Sequence, residues 1–209
     1  MVTGQQLLSF LPPAMLVAAS PGAGNFLALN NGLRSGPRRA IIALAGRLSA
    51  FAALIVLVMV GAGALLAASA VAFSVLKWLG VAYLVWLGVR LWRSDTAPVT
   101  GDNAAHDASA LRLAAREFTV ALTNPKAILL FTAFLPQFVA RGRPMPSQFL
   151  TLGAVYILLE FLAASGYAIA GSRITMLRLS RQGVRRVNRI SAGIMLLAAG
   201  WLATMKRTA

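Results

Sequence analysis
The 209-residue chain has no cysteine, one histidine and only five acidic residues. Without cysteine there can be no disulfide, no thiolate metal site and no thiol chemistry. The single histidine, His106, lies in a polar stretch beside Asp102, Asn103 and Asp107. One imidazole with carboxylates in a solvated loop is a poor metal site. No glycine-rich phosphate loop followed by Lys-Ser/Thr occurs, and no cluster of histidine with carboxylates. Hydrolase, kinase and dinucleotide chemistries therefore lack their residues, and the chain reads as a non-enzyme with no cofactor and no metal. The N-terminus also lacks the basic start of a signal peptide, so the first apolar stretch is expected to be retained.

Hydrophobic residues make up 58% of the chain, and the mean hydropathy is +0.74. Charged residues are only 12%, against about 25% in a typical soluble domain. The composition is that of an integral membrane protein. The net charge of +15 raises the question of nucleic acid. Its basic residues are spread between apolar segments rather than gathered on one patch, which argues for orientation signals and against a nucleic-acid partner.

Six apolar segments approach the ~20 residues that a spanning helix needs. They run over about 12–30, 40–63, 71–92, 113–138, 149–171 and 190–205. Pro12 and Pro13 suit a helix start, while Lys77, Trp78 and Trp92 suit interfacial anchors. The only long polar stretch, about 94–111, reads as a connector between halves 1–93 and 112–209 of one transporter domain spanning 1–209. Gly166 with Ala170, and Gly61 or Gly63, offer small faces for tight helix contact. Membrane lipid is the expected surrounding. A homodimer stays open, since no residue marks an interface.

Loops one-two, three-four and five-six carry Arg34, Arg38 and Arg39; Arg90, Arg93, Arg112 and Arg116; and the run Arg173 to Arg189. The opposite side has only Lys77, Arg141, Arg143, Lys206 and Arg207. Positive-inside bias then places both termini outside the cytoplasm. The Arg173 to Arg189 run is chiefly such a signal, with anionic headgroups within its reach. Three spans, a connector and three more spans give halves of opposite orientation, each opening on a proline-broken helix. Matched interruptions of this kind point to an inverted-repeat transporter site at the midplane.

The second break is Asn124-Pro125-Lys126. Pro125 has no N–H, so it frees the carbonyl of Ala121 and forces a kink or break. Counted from Leu113, Lys126 lies about 13 residues in, roughly 20 Å at 1.5 Å per residue, which is beyond easy snorkelling. A lysine at that depth suits binding of a carboxylate or exchange of a proton. The first break, Pro21 to Asn25, would offer freed carbonyls, amide N–H groups and the Asn25 side chain to a zwitterion; a packed structural kink is the plainer alternative. Pro21, Gly22, Asn25, Asn124, Pro125 and Lys126 are thus the candidate substrate-binding residues. Arg47 and Glu160 are the other charges expected at membrane depth. Opposite charges in apolar helices should find each other, as a structural pair or with Glu160 coupling protons or holding an ammonium.

Several stretches together resemble the LysE/RhtB family of amino-acid exporters over essentially the whole chain. They are Ser20-Pro21-Gly22; Asn30 to Gly36 with Arg38-Arg39; Leu76 to Gly88; and Thr123-Asn124-Pro125-Lys126-Ala127 through Phe134-Leu135-Pro136-Gln137-Phe138. The resemblance implies a small bacterial inner-membrane protein that exports amino acids or related metabolites, driven by the proton gradient as an antiporter. The family's first-helix motif usually reads Pro-Gly-Pro followed by Asn or Asp; here Ala23 and Gly24 stand instead, with Asn25 one position late, and Arg47 stands where the resemblance leads one to expect an apolar residue. The expected architecture is an all-α membrane protein of six transmembrane helices, a 3+3 inverted repeat with helices 1 and 4 broken. Efflux of another metabolite or drug, and a membrane scaffold without transport, are the competing functions.

Overall fold
The computed structural model describes residues 2–68, 70–93, 109–140, 142–173 and 181–204. Residues 94–108 of the connector, with His106 and Asp102, fall outside them, as do 174–180 of the basic run and Arg141, Lys206 and Arg207. Every element among the described residues is helical. They are α1 (Gly4–Ala19), α2 (Ala23–Ala68), α3 (Ala70–Trp92), α4 (Ala110–Thr123), α5 (Pro125–Leu129), α6 (Met145–Arg173) and α7 (Arg181–Thr204). A π-helical turn (Leu130–Phe134) and a 3-10 turn (Leu135–Phe138) follow α5.

The start of α1 is set by a capping box. The Thr3 hydroxyl accepts from the Gln6 N–H, and the Gln6 side chain accepts from the Thr3 N–H. Pro12 and Pro13 therefore lie inside the helix rather than at its start, a correction to the sequence expectation. Lacking N–H groups, they leave the carbonyls of Leu8 and Ser9 without their i+4 donors. In α2, Gly36 takes φ 79° and ψ 163°, a conformation open to glycine, immediately before Pro37. The chain doubles back there, because Gly24 and Arg47 touch across the bend. The two legs, 23–35 and 37–68, correspond to parts of separate apolar segments.

Among the described residues, Ala23–Gly61 and Met145–Arg173 are long and apolar enough to cross a membrane. Ala110–Thr123 with Lys126–Phe138 forms a third candidate, bent by 59° at its break. The distribution of polarity is that of a protein dissolved in lipid. Leu8, Leu57, Val60 and Leu197 are 67–72% exposed, while Arg47, Glu117 and Gln148 are at most 1% exposed.

α2 packs against α4 and α6, and α3 against α7. Backbones approach most closely at glycines. A Cβ at Gly46 would fall on the Ala114 carbonyl, one at Gly32 on that of Ala168, and one at Gly171 on that of Leu29. A Cβ on Gly61 or Gly166, expected to serve this purpose, would meet nothing within 4 Å. Which glycines face a neighbouring backbone is set by how the helices pack and is not readable from the local small-residue pattern. One core cluster joins α1, the second leg of α2, the irregular turns and α6. Its rings include Phe10, Phe51, Phe131, Phe134, Phe138 and Tyr156.

Candidate functional site
The first break is held shut by side chains. Pro21 has no N–H for the Val17 carbonyl, and the Ser20 hydroxyl donates to it at 2.8 Å instead. The three carbonyls that follow lose their helical donors where the chain unwinds over 20–22. Ala18 O accepts from Asn25 Nδ2 at 2.9 Å, and Ala19 O from the Tyr167 hydroxyl at 2.9 Å. Ser20 O accepts from Asn25 Nδ2 at 3.0 Å and from Lys126 Nζ at 3.1 Å. The expectation of freed carbonyls open to a ligand is therefore corrected: each is taken, as buried backbone acceptors must be.

The second break follows the same logic with fewer groups. Asn124 caps α5, its Oδ1 accepting from the Lys126 N–H at 3.0 Å. Ala121 O, which Pro125 cannot serve, accepts from the Asn124 N–H at 3.4 Å. Lys126 then reaches across to the first break, where Nζ also donates to Ser20 Oγ at 2.5 Å. Gly22 leaves room for it: a Cβ there would lie 3.8 Å from Lys126 Cδ. Both broken helices thus meet through one ammonium.

Arg47 is the centre of a second buried set. Nε and Nη2 donate to Glu117 Oε2 at 2.9 and 2.6 Å. Nη1 donates to Glu160 Oε1 at 3.1 Å and to Asn25 Oδ1 at 3.1 Å. Nη2 also donates to the Gly24 carbonyl. A Cβ on Gly24 would come within 3.2 Å of the guanidinium carbon, so the glycine leaves room for the arginine in this position. Glu117 Oε1 accepts from Asn31 Nδ2 at 2.9 Å, and Glu160 Oε2 from the Tyr156 hydroxyl at 3.2 Å.

Glu117 is absent from the sequence-derived set of deep charges and is fully buried. Arginines at 112 and 116 make its surroundings look like a loop. Its signal is the i, i+4 stripe of Leu113, Glu117 and Ala121, the buried face of α4.

A cavity of about 20 Å³ lies between the breaks. Gly22, Gly24, Asn25, Asn124, Lys126 and Glu160 line it, with Phe51, Ala127 and Tyr156. The volume is that of about one water, so an amino acid enters only if the walls separate. Of the candidate residues, Gly22, Asn25, Asn124, Lys126 and Glu160 share this cavity. Pro21 and Pro125 shape the breaks, and Arg47 lies behind Gly24. No group of three or more potential metal ligands occurs among the described residues.

The family model for the LysE type translocator matches residues 15–206. An uncharacterized membrane protein of Vibrio cholerae is 36% identical over 199 residues, covering 95% of this chain and 97% of its own. A homoserine/homoserine lactone efflux protein of Salmonella typhimurium is 33% identical over 205 residues, covering 98% and 99%. A leucine efflux protein of Klebsiella pneumoniae is 28% identical over 201 residues, covering 95% of each chain. No solved structure matches the chain.

Proposed function
Because the chain belongs to the LysE type translocator family, we propose that it exports a small amino acid or related zwitterionic metabolite across the bacterial inner membrane. The observation that carries this reading is the cavity where two broken helices meet, with an ammonium on one wall and a carboxylate on another. A zwitterion has the complementary pair. Its carboxylate displaces Ser20 from Lys126, and its ammonium takes Glu160, since the carbonyls at the first break are occupied. The relatives named for homoserine and leucine efflux support an amino-acid substrate.

The transport cycle is alternating access in one domain of six spans, arranged as two inverted halves with the termini outside the cytoplasm. α1 with the first leg of α2 forms span one, the second leg span two and α3 span three. α4 with α5 and the irregular turns forms span four, α6 span five and α7 span six. The matched breaks in spans one and four support this arrangement. Export is driven by protons, with Glu160, shared by Arg47, Tyr156 and the cavity, as the coupling group. At the outer end Gln148 closes the bundle: its Oε1 accepts from Gln6 Nε2 at 2.8 Å and from the Ala140 N–H at 2.9 Å.

The test is efflux of labelled amino acids from proteoliposomes, with and without a pH gradient, for wild type and Lys126→Ala. Gradient-driven flux of one amino-acid class, lost in the variant, is the expected result. Flux unchanged by Lys126→Ala removes the site. Absence of flux for every amino acid tested removes the substrate class.

A further inference from the structure
Four charged side chains surround the two breaks: Arg47, Lys126, Glu117 and Glu160. Only Lys126 and Glu160 line the cavity. The Arg47 guanidinium lies between the carboxylates, 2.6 Å from Glu117 and 3.1 Å from Glu160, and is 1% exposed. Glu117 is held on the far side, one oxygen on Arg47 and the other on Asn31. Among the described residues, Lys126 Nζ meets only Ser20. The set therefore sums to zero charge and shows the cavity one cation and one anion.

An uncompensated charge in so buried a place is costly. A substrate that is itself neutral overall leaves the balance at zero, whereas a second ammonium or a second carboxylate does not. The rest of the lining offers no charge to meet it: Phe51, Ala127 and the Tyr156 ring are apolar, and Asn25 and Asn124 are neutral.

We propose that the site takes amino acids with uncharged side chains and rejects dibasic and acidic ones, and that Arg47 and Glu117 set this preference by balancing each other behind the cavity. The inference rests on the export reading and names its substrate class. It assigns Arg47 and Glu117 as positioning residues that act on selectivity through the field at Glu160, without touching substrate.

The experiment is counterflow in proteoliposomes holding the full chain, with labelled L-homoserine, L-leucine, L-lysine and L-aspartate. Wild type should move homoserine or leucine at least tenfold faster than lysine and aspartate. Arg47→Gln removes one cation and leaves a negative excess, so the ratio of lysine to homoserine flux should rise about tenfold. Glu117→Gln removes one anion and should instead raise the ratio of aspartate to homoserine. A merely structural role would lower all four fluxes together and leave the ratios alone. Should Arg47→Gln not fold, Glu117→Gln, which keeps an oxygen acceptor for Arg47, decides the matter by itself. Lysine or aspartate flux equal to homoserine in wild type, or unshifted ratios in the variants, overturns the inference while export stands. No wild-type flux for any of the four overturns the export reading instead.

Discussion
Removing the Arg47 guanidinium should be among the most damaging single changes in this protein, and its size follows from the contacts. Arg47→Met deletes five hydrogen bonds: two to Glu117 and one each to Glu160, Asn25 and the Gly24 carbonyl. Interhelical hydrogen bonds in membranes average ~0.6 kcal/mol, so five give ~3 kcal/mol. Breaking a buried ion pair by removing one partner costs ~3–5 kcal/mol, because a charge is left uncompensated. The two routes agree on about 3–4 kcal/mol. Glu117→Gln in the Arg47→Met background should recover much of this, since the stranded charge is then gone. A double-mutant cycle, read by reversible denaturant unfolding in mixed micelles, isolates the coupling. A coupling of about 2 kcal/mol or more is expected between Arg47 and Glu117. It should be smaller between Arg47 and Glu160, whose contact is longer and which lies partly open to the cavity. A coupling below about 0.5 kcal/mol for Arg47 with Glu117 would refute the account of the buried set.

Further outcomes follow from packing and topology. Gly46→Ala should destabilise by ~1–3 kcal/mol because its Cβ falls on the Ala114 carbonyl. Gly166→Ala, with nothing within 4 Å, should change the melting transition by less than the equivalent of about 1 kcal/mol; equal effects at the two sites would contradict the packing described. Gln148→Ala removes the fully buried amide that joins Gln6, Ala140 and α6, and unfolding in detergent should show a loss of ~2 kcal/mol. The natural absence of cysteine makes topology simple to read. Single cysteines at either terminus should react with a membrane-impermeant maleimide in intact cells, and protection of either one would reverse the orientation.

Much of the site was legible because membrane depth makes polarity conspicuous. Pro21, Asn124, Pro125 and Lys126 interrupt apolar runs, and neither a missing N–H nor a buried ammonium goes unnoticed there. Glu117 was hidden because α4 is amphipathic near its start, with Arg112 and Arg116 directly before the buried Leu113 and Glu117. The fate of the freed carbonyls was hidden for another reason. The acceptors come from the chain's own unwinding and one donor, Asn25, is close in sequence, but the other two, Tyr167 and Lys126, come from helices more than a hundred residues away.

The sequence alone determined that this chain lives in a bilayer, that helices break at Pro21 and Pro125, and that Arg47, Lys126 and Glu160 lie deep, because these depend on local composition and on the geometry of proline. Only the tertiary structure decided which charges pair, that Gly24 makes way for Arg47, and that Lys126 ties the two breaks together. Those contacts depend on which helix faces meet, and a helix carries several faces in the same stretch of sequence. The partner that satisfies a buried group is chosen by the packing of the whole bundle, so no single segment contains it.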